Sequence, residues 1–289
     1  MYCIVNYGNV YCILIKTAMY HWIYTQFSGD SVFINMILHF GSMFGENNEP
    51  YVSYGYFNQR KHISERESIK INGSHFDDLL KSITMPGLQA INLQVGSLRI
   101  SGAVSRICHE KPETFDLVSS DRSPQDDGFW LIRIPYGVFS GTITINNEEQ
   151  DVSAIVYQDE QWGEEPLLSS LSEWVWAVAS DKSSNYGVFS SVSKNGKKVF
   201  GKWYGSENDY RFVTSDEYAS LLSKQLKEMR NPILISDHAF YCDYQNAMRK
   251  RKMERHGDFF FNYYRYLLNA RENEGIRGAC EIMYVQSTL

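Results

Sequence analysis

The chain has 289 residues, with 43% hydrophobic and 15% aromatic content and a net charge of −6 at pH 7. A chain of this length can bury one large core or two ordinary ones, and its acidic balance excludes a general nucleic-acid-binding role. No uninterrupted apolar run reaches the roughly 18 residues of a spanning helix, so we predict no stable membrane insertion.

The cysteines and the N-terminal segment bear on the cellular compartment. Residues 1–20 are apolar and aromatic but lack a positively charged start and a small-residue cleavage site, so they do not predict a signal peptide. No CxxC pair occurs, which argues against a disulfide framework and against a zinc site. The five cysteines are Cys3, Cys12, Cys108, Cys242 and Cys280. We therefore expect reduced thiols in a cytoplasmic protein.

Short extended segments joined by turn signals make up the first half of the chain. The predicted strands cover residues 22–27, 32–40, 51–57, 91–95, 98–101, 115–119, 129–135, 140–145 and 152–157. Ser28-Gly29-Asp30 predicts a hairpin between the first two strands, and Asn146-Asn147 predicts another between the last two. A short helix is predicted near residues 77–80.

The second half continues the same pattern and adds a helix. Its predicted strands cover residues 174–179, 186–192, 199–204, 210–213 and 279–285. Ser215 is a plausible N-cap for a helix that runs to about Met229, and the basic run at 249–252 is interpreted as a solvated helix face. Such closely spaced strands predict an all-β fold with minor helices, built of antiparallel sandwiches or barrels. Two β-domains of similar size, residues 1–168 and 169–289, are compatible with this layout.

Two adjacent carboxyl groups, Asp159 and Glu160, follow a β-rich run and lie among tryptophans in the sequence. Burial against indole rings can raise the pKa of a carboxyl group and make it a useful acid near neutral pH. The alternative is a turn in which Asp159 accepts hydrogen bonds from backbone amides. The sequence has no His/Asp/Glu cluster with metal-ligand spacing and no glycine-rich nucleotide motif, so we predict neither a metal nor a cofactor.

Three places in the sequence resemble one superfamily. They are residues 21–40, residues 134–177 with Val156–Gly163 at their centre, and residues 275–284. Together they resemble the lipocalin-like superfamily of hydroxyneurosporene synthase (a carotenoid hydratase), AttH-like proteins and decalin-forming Diels–Alderases. The resemblance implies two lipocalin-like antiparallel β-barrel domains, with a substrate pocket in or between them.

The resemblance also implies site residues. Asp159 occupies the position of the family's acid, with Glu160 beside it as a second catalytic candidate. The family's signature has histidine where this chain has Gln158, which argues against carotenoid hydration. The candidate substrate-binding residues are Tyr157, Trp162, Trp176, Trp22, Tyr24 and His39. For the last four, a purely structural role in the core is the alternative.

The function implied is that of a cofactor-independent biosynthetic enzyme. Its partner would be a hydrophobic small-molecule substrate, a polyene intermediate that undergoes intramolecular cyclisation, such as a Diels–Alder reaction, or isomerisation. Two alternatives stay open. One is a hydratase of a carotenoid or terpenoid double bond, and the other is a non-catalytic carrier of a lipophilic ligand.

Overall fold

The computed structural model describes residues 2–6, 9–13, 20–41, 51–58, 62–68, 89–106, 114–116, 129–163, 171–194, 196–214, 216–235, 238–245, 249–256, 259–269 and 276–287. Within these ranges the chain forms antiparallel strands and a helix α1 (Asp216–Lys227). The all-β prediction is therefore confirmed. The predicted helix at 77–80, the N-cap Ser215 and the domain boundary near residue 168 lie outside the described residues, so the division into two domains stays a prediction.

The first large sheet contains nine strands and follows a small hairpin of β1 (Tyr2–Asn6) and β2 (Asn9–Ile13). Its strands are β3 (Tyr20–Gly29), β4 (Val32–Gly41), β5 (Tyr51–Asn58), β6 (His62–Ser68), β7 (Gln89–Val95), β8 (Leu98–Arg106), β9 (Thr114–Asp116), β10 (Phe129–Ile145) and β11 (Glu148–Gly163). They are ordered β6-β5-β4-β3-β11-β10-β8-β7, and β9 pairs with β10.

The second sheet also contains nine strands. They are β12 (Leu171–Ser180), β13 (Ser184–Ser193), β14 (Lys198–Ser206), β15 (Tyr210–Val213), β16 (Ile233–Ile235), β17 (His238–Cys242), β18 (Arg249–His256), β19 (Phe259–Asn269) and β20 (Ile276–Ser287). Their order is β15-β14-β13-β12-β20-β19-β17-β16, and β18 pairs with β19. Adding nine to each label of the first sheet gives this order, so the two sheets are a structural repeat.

Local sequence signals explain the hairpins. Asn146 and Asn147 both have positive φ, 51° and 65°, which is the conformation of a two-residue type I′ turn. The strand after this turn therefore begins at Glu148, four residues before the predicted start at Val152. The basic run at 249–252 is wrongly interpreted as a helix face, because it lies in β18 and pairs with β19.

Three apolar clusters divide the interior. One fills the inner face of the first sheet, and another fills the inner face of the second sheet, where Leu222 and Leu226 of α1 pack. The third, called here the interface cluster, joins residues of both sheets and is rich in aromatic rings. Because side chains alternate along a strand, β3 gives Ile23 to the first cluster and Tyr24 to the interface cluster. In the part of the chain that is described, no helix is both long and apolar enough to cross a membrane.

Candidate active site

Asp159 lies within β11, not in a turn, and its side chain belongs to the face that meets the second sheet. It is opposite Tyr24 of β3 on one side and Ile132 of β10 on the other. Only 3% of its surface is exposed. The register of three strands therefore places a carboxyl group inside the interface cluster, among aromatic rings.

The hydrogen bonds of Asp159 come from neutral aromatic donors. Tyr157 Oη donates to Asp159 Oδ2 over 2.8 Å, and Trp176 Nε1 of the second sheet donates to the same oxygen over 3.1 Å. Burial raises the pKa of Asp159 to about 7, although the hydrogen bonds from Tyr157, Trp130 and Trp176 act in the opposite direction. Asp159 can therefore carry a proton near neutral pH, as a general acid must.

A second carboxyl group, Glu281 of β20, enters the same region from the other sheet. Its Oε1 accepts a hydrogen bond from Trp174 Nε1 over 2.8 Å, and its Oε2 accepts one from Tyr263 Oη over 2.7 Å. Arg265 of β19 donates from Nε and Nη2 to Oε2, over 3.1 and 2.6 Å. The guanidinium carbon of Arg265 is 5.7 Å from the ring centre of Tyr24. Glu281 and Arg265 thus form a buried ion pair in which both carboxylate oxygens accept hydrogen bonds.

A cavity lies between the two carboxyl groups. It is lined by Trp22, Tyr24, Ile37, Trp130, Asp159, Trp174, Trp176, Arg265 and Glu281. The centre of a water molecule can move within only about 10 Å³ of this cavity. That is room for about one water molecule. A larger ligand can enter only if lining side chains move.

The structure brings most of the predicted site residues together. Asp159, Trp176, Trp22 and Tyr24 line the cavity, and Tyr157 contacts Asp159 from the side. His39 is on the same face of the sheet, opposite Trp22 in the register, but its ring stacks on Tyr51 at 4.8 Å and does not line the cavity. Trp22, Tyr24 and Trp176 therefore both pack in the interface cluster and line the cavity.

Glu160 and Trp162 lie on the opposite face of β11, toward the interior of the first sheet. Glu160 Oε1 is 2.6 Å from His21 Nε2, and Glu160 also pairs with Arg133. Burial raises the pKa of Glu160, but the charge of Arg133 and the hydrogen bond from His21 outweigh it and lower the pKa to about 2. Trp162 contacts His21 edge-on at 6.3 Å. Neither residue reaches the cavity, because neighbouring strand residues point to opposite faces.

Gln158 also points away from Asp159. Its Nε2 donates to Thr25 Oγ1 over 3.0 Å, on the face that Glu160 occupies. A histidine at this position would have the same direction and would not contact Asp159. The departure from the family signature at Gln158 therefore does not change the immediate surroundings of the acid.

Sequence reasoning did not identify Arg265 or Glu281 as site residues. The available signal was that Arg265 is the one charged residue in the aromatic run 259–267. A charged residue in such a run is rarely buried unless it is paired. Among the described residues, no group of three or more His, Cys, Asp or Glu side chains is placed to hold a metal ion.

The repeated strand order and the aromatic interface define a fold of two curled, lipocalin-like antiparallel sheets. No protein-family model matches the sequence, and comparison with curated proteins gave no match. Among solved structures, the chain is similar to a candidate AttH protein from Nitrosomonas europaea, with TM-score 0.52, 10% identity, and coverage of 98% of this chain and 99% of that one.

The chain is also similar to CghA. The structure of CghA with Sch210972 gives TM-score 0.53 at 10% identity, and a further crystal structure of CghA gives 0.52 at 11% identity. Both matches cover 94% of this chain and 89% of CghA. The fold implied by the sequence resemblance, which is shared with AttH-like proteins and CghA, is thereby confirmed.

Proposed function

We propose that this protein is a cofactor-independent enzyme that cyclises a hydrophobic polyene in the cavity between the two sheets. The observation that carries the proposal is the buried carboxyl group of Asp159, with a pKa of about 7, in a cavity lined by four tryptophans. The sequence resemblance to decalin-forming Diels–Alderases supports the reaction class. The similarity in fold to CghA, solved with Sch210972, supports a small-molecule substrate.

Confinement would supply most of the rate enhancement. An intramolecular cyclisation adds and removes no atoms, and its main barrier is to bring the two reacting ends of a flexible chain together. Holding them in a near-attack geometry can lower the activation barrier by about 7 kcal/mol or more. Protonated Asp159 would donate a hydrogen bond to the substrate, and the indole faces of Trp174 and Trp176 would stabilise developing positive charge.

Substrate binding would require the cavity to widen. Pockets for drug-sized ligands enclose roughly 300 to 1,000 Å³, whereas the free volume of this cavity is only about 10 Å³. The cavity lies where the two sheets meet, so a small separation of their aromatic side chains would enlarge it. Ile37 is the small apolar lining residue and therefore the natural place to test the available space.

Hydration is the second candidate, favoured by the room for about one water molecule beside Asp159. In that reaction Asp159 transfers its proton to one alkene carbon, water oxygen bonds to the resulting cation, and the surplus proton of that oxygen returns to Asp159. Atoms and charge balance without any other reactant.

The products distinguish these functions. We would compare by mass spectrometry the metabolites of strains with and without the gene, and then incubate the purified protein with the metabolite that accumulates. Cyclisation gives a product of unchanged mass, hydration adds the mass of one water, and a carrier returns its ligand unaltered. A substrate that is recovered unchanged from every such incubation would refute an enzymatic role.

Two variants test the mechanism. Asp159→Asn should abolish hydration but should only slow a cyclisation driven by confinement. Ile37→Trp should fill the cavity and stop cyclisation, whereas the matched change Ile37→Val should not, because it leaves space. Equal turnover by Ile37→Trp and the wild type would show that the reaction does not take place in this cavity.

A further inference from the structure

Two residues that line the cavity carry a hydrogen-bond donor with no acceptor in the described part of the chain. Trp22 is 8% exposed, and its Nε1 makes no hydrogen bond within the described part of the chain. Arg265 is 6% exposed and directs Nε and Nη2 to Glu281, while its Nη1 has no hydrogen bond to a described residue. Buried donors are nearly always paired, so the unpaired Trp22 Nε1, on a cavity that Arg265 also lines, points to an acceptor from outside the chain.

The neighbouring tryptophans show that the spare donor of Trp22 is distinctive. Trp174 Nε1 donates to Glu281 and Trp176 Nε1 donates to Asp159. These indoles serve the two carboxyl groups and have no further N–H to offer. Trp22 lines the same cavity but its N–H is unused. The indole of Trp22 is therefore placed to bind a ligand oxygen, and those of Trp174 and Trp176 are not.

Charge decides which kind of oxygen fits. The positive charge of Arg265 is already balanced by Glu281 in a buried ion pair at 2.6 Å. An added carboxylate would leave one uncompensated negative charge in the cavity, and it would lie beside Asp159, which is itself ionised above about pH 7. Burial of an unpaired charge is strongly unfavourable. A neutral carbonyl oxygen accepts both hydrogen bonds without adding charge.

We propose that the cavity recognises a neutral carbonyl oxygen through Trp22 Nε1 and Arg265 Nη1. The substrate class is then a polyene that carries an ester, ketone or amide, not a free carboxylic acid. This inference rests on the proposed function for the polyene, but the carbonyl site can be tested without turnover. Conjugation of that carbonyl with the polyene would make the hydrogen bonds polarise the reacting double bond.

The test is a ligand-observed NMR titration of the whole protein with three small probes at about pH 8. The probes are methyl sorbate, sorbate, and heptadiene, which has no oxygen. The ester should bind at least about tenfold more tightly than sorbate, because sorbate brings an uncompensated charge into the cavity. Trp22→Phe should weaken ester binding about fivefold and leave heptadiene binding unchanged, since a single neutral hydrogen bond is lost.

Two further variants complete the design. Arg265→Lys keeps the positive charge beside Glu281 but removes Nη1, so it too should weaken the ester selectively. Trp174→Phe is the matched control, because its N–H is already used. It should affect the ester and heptadiene alike.

The proposal is overturned if the ester does not bind, if sorbate binds as tightly as the ester, or if Trp22→Phe weakens both ester and heptadiene equally. Should a variant fail to fold, the comparison of ester with sorbate in the wild type still decides. If the ester preference is found but no polyene is ever converted, the cyclase function fails and the carbonyl site stands.

Discussion

Replacing Asp159 with asparagine should make the protein more stable at alkaline pH and leave its stability at acid pH nearly unchanged. Asparagine is close in shape to protonated aspartate, and its side-chain oxygen can accept the hydrogen bonds that Tyr157 and Trp176 give to one carboxyl oxygen. The change therefore removes the charge and keeps the packing. Its effect isolates the free energy of ionising a buried carboxyl group.

The magnitude follows from the pKa of Asp159 in the folded and unfolded chain. Burial raises this pKa from 3.8 to about 7. Below pH 3.8 the carboxyl group is protonated in both states and has no effect on the free energy of unfolding. As pH rises toward 7, the unfolded state loses its proton first, so the wild type loses stability by ~1.4 kcal/mol for each pH unit. The total loss is about 4 kcal/mol and is complete above pH 7.

The assay is urea unfolding of wild type and Asp159→Asn at a series of pH values between about 4 and 8, with the free energy of unfolding compared at each. Other titrating groups, such as Glu160, are common to both proteins and cancel in the difference. The advantage of the variant should grow from near zero at pH 4 to about 4 kcal/mol at pH 8. Parallel curves, or an advantage that grows toward acid pH, would refute the assignment of Asp159 as a buried neutral acid.

Three further substitutions test the packing around the site, each by urea unfolding at neutral pH. Gly187→Ala should cost about 2 kcal/mol or more, because its new Cβ would lie 1.8 Å from Trp203 Cζ2; an unchanged midpoint would contradict this packing. Asn185→Ala should cost about 2 kcal/mol, since Asn185 Nδ2 donates to two backbone carbonyls of the first sheet over 2.9 Å each and both hydrogen bonds would be lost. A cost below about 0.5 kcal/mol would mean that this link between the sheets carries little energy. Glu281→Gln should cost about 3 to 5 kcal/mol because it leaves Arg265 buried without its counter-ion, and a neutral or stabilising result would show that the pair is not buried as described.

Local patterns in the sequence predict the strands and hairpins, but they do not predict which distant strands pair with each other. The alternation of apolar and polar residues and the Asn146-Asn147 turn are enough to predict the β10–β11 hairpin. The pairing of β3 with β11 brings together Tyr24 and Asp159, which are far apart in the sequence. No local periodicity encodes that register, so the sequence could place Asp159 on a strand or in a turn with equal ease.

The residues that the second sheet contributes to the site are harder still to predict from the sequence. Arg265 and Glu281 reach the cavity only because the two sheets pack face to face, and that packing depends on the whole interface cluster. At residues 249–252, four consecutive basic residues lead to the wrong prediction of a solvated helix face. Their strand conformation comes from pairing with β19, which is a tertiary effect that overrides local preference.

The two carboxyl groups of the cavity lie on corresponding strands of the structural repeat but have different partners. Asp159 of β11 faces Tyr24 across the pair with β3, and Glu281 of β20 faces Trp176 across the corresponding pair with β12. The repeat is broken on the other side, where Asp159 faces Ile132 but Glu281 faces Arg265.

The residue paired with each carboxyl group on this side determines the electrostatic surroundings of that group. A cation beside Glu281 holds a negative charge in the cavity, whereas an isoleucine beside Asp159 leaves burial to raise its pKa to about 7. The structure thus contains one buried carboxyl group with a raised pKa and one carboxyl group held in an ion pair. Carboxyl groups in such contrasting surroundings are typical of catalytic sites, where one acts as an acid and the other does not. Under the proposed function, acid chemistry in this cavity would depend on Asp159, and Glu281 would position Arg265.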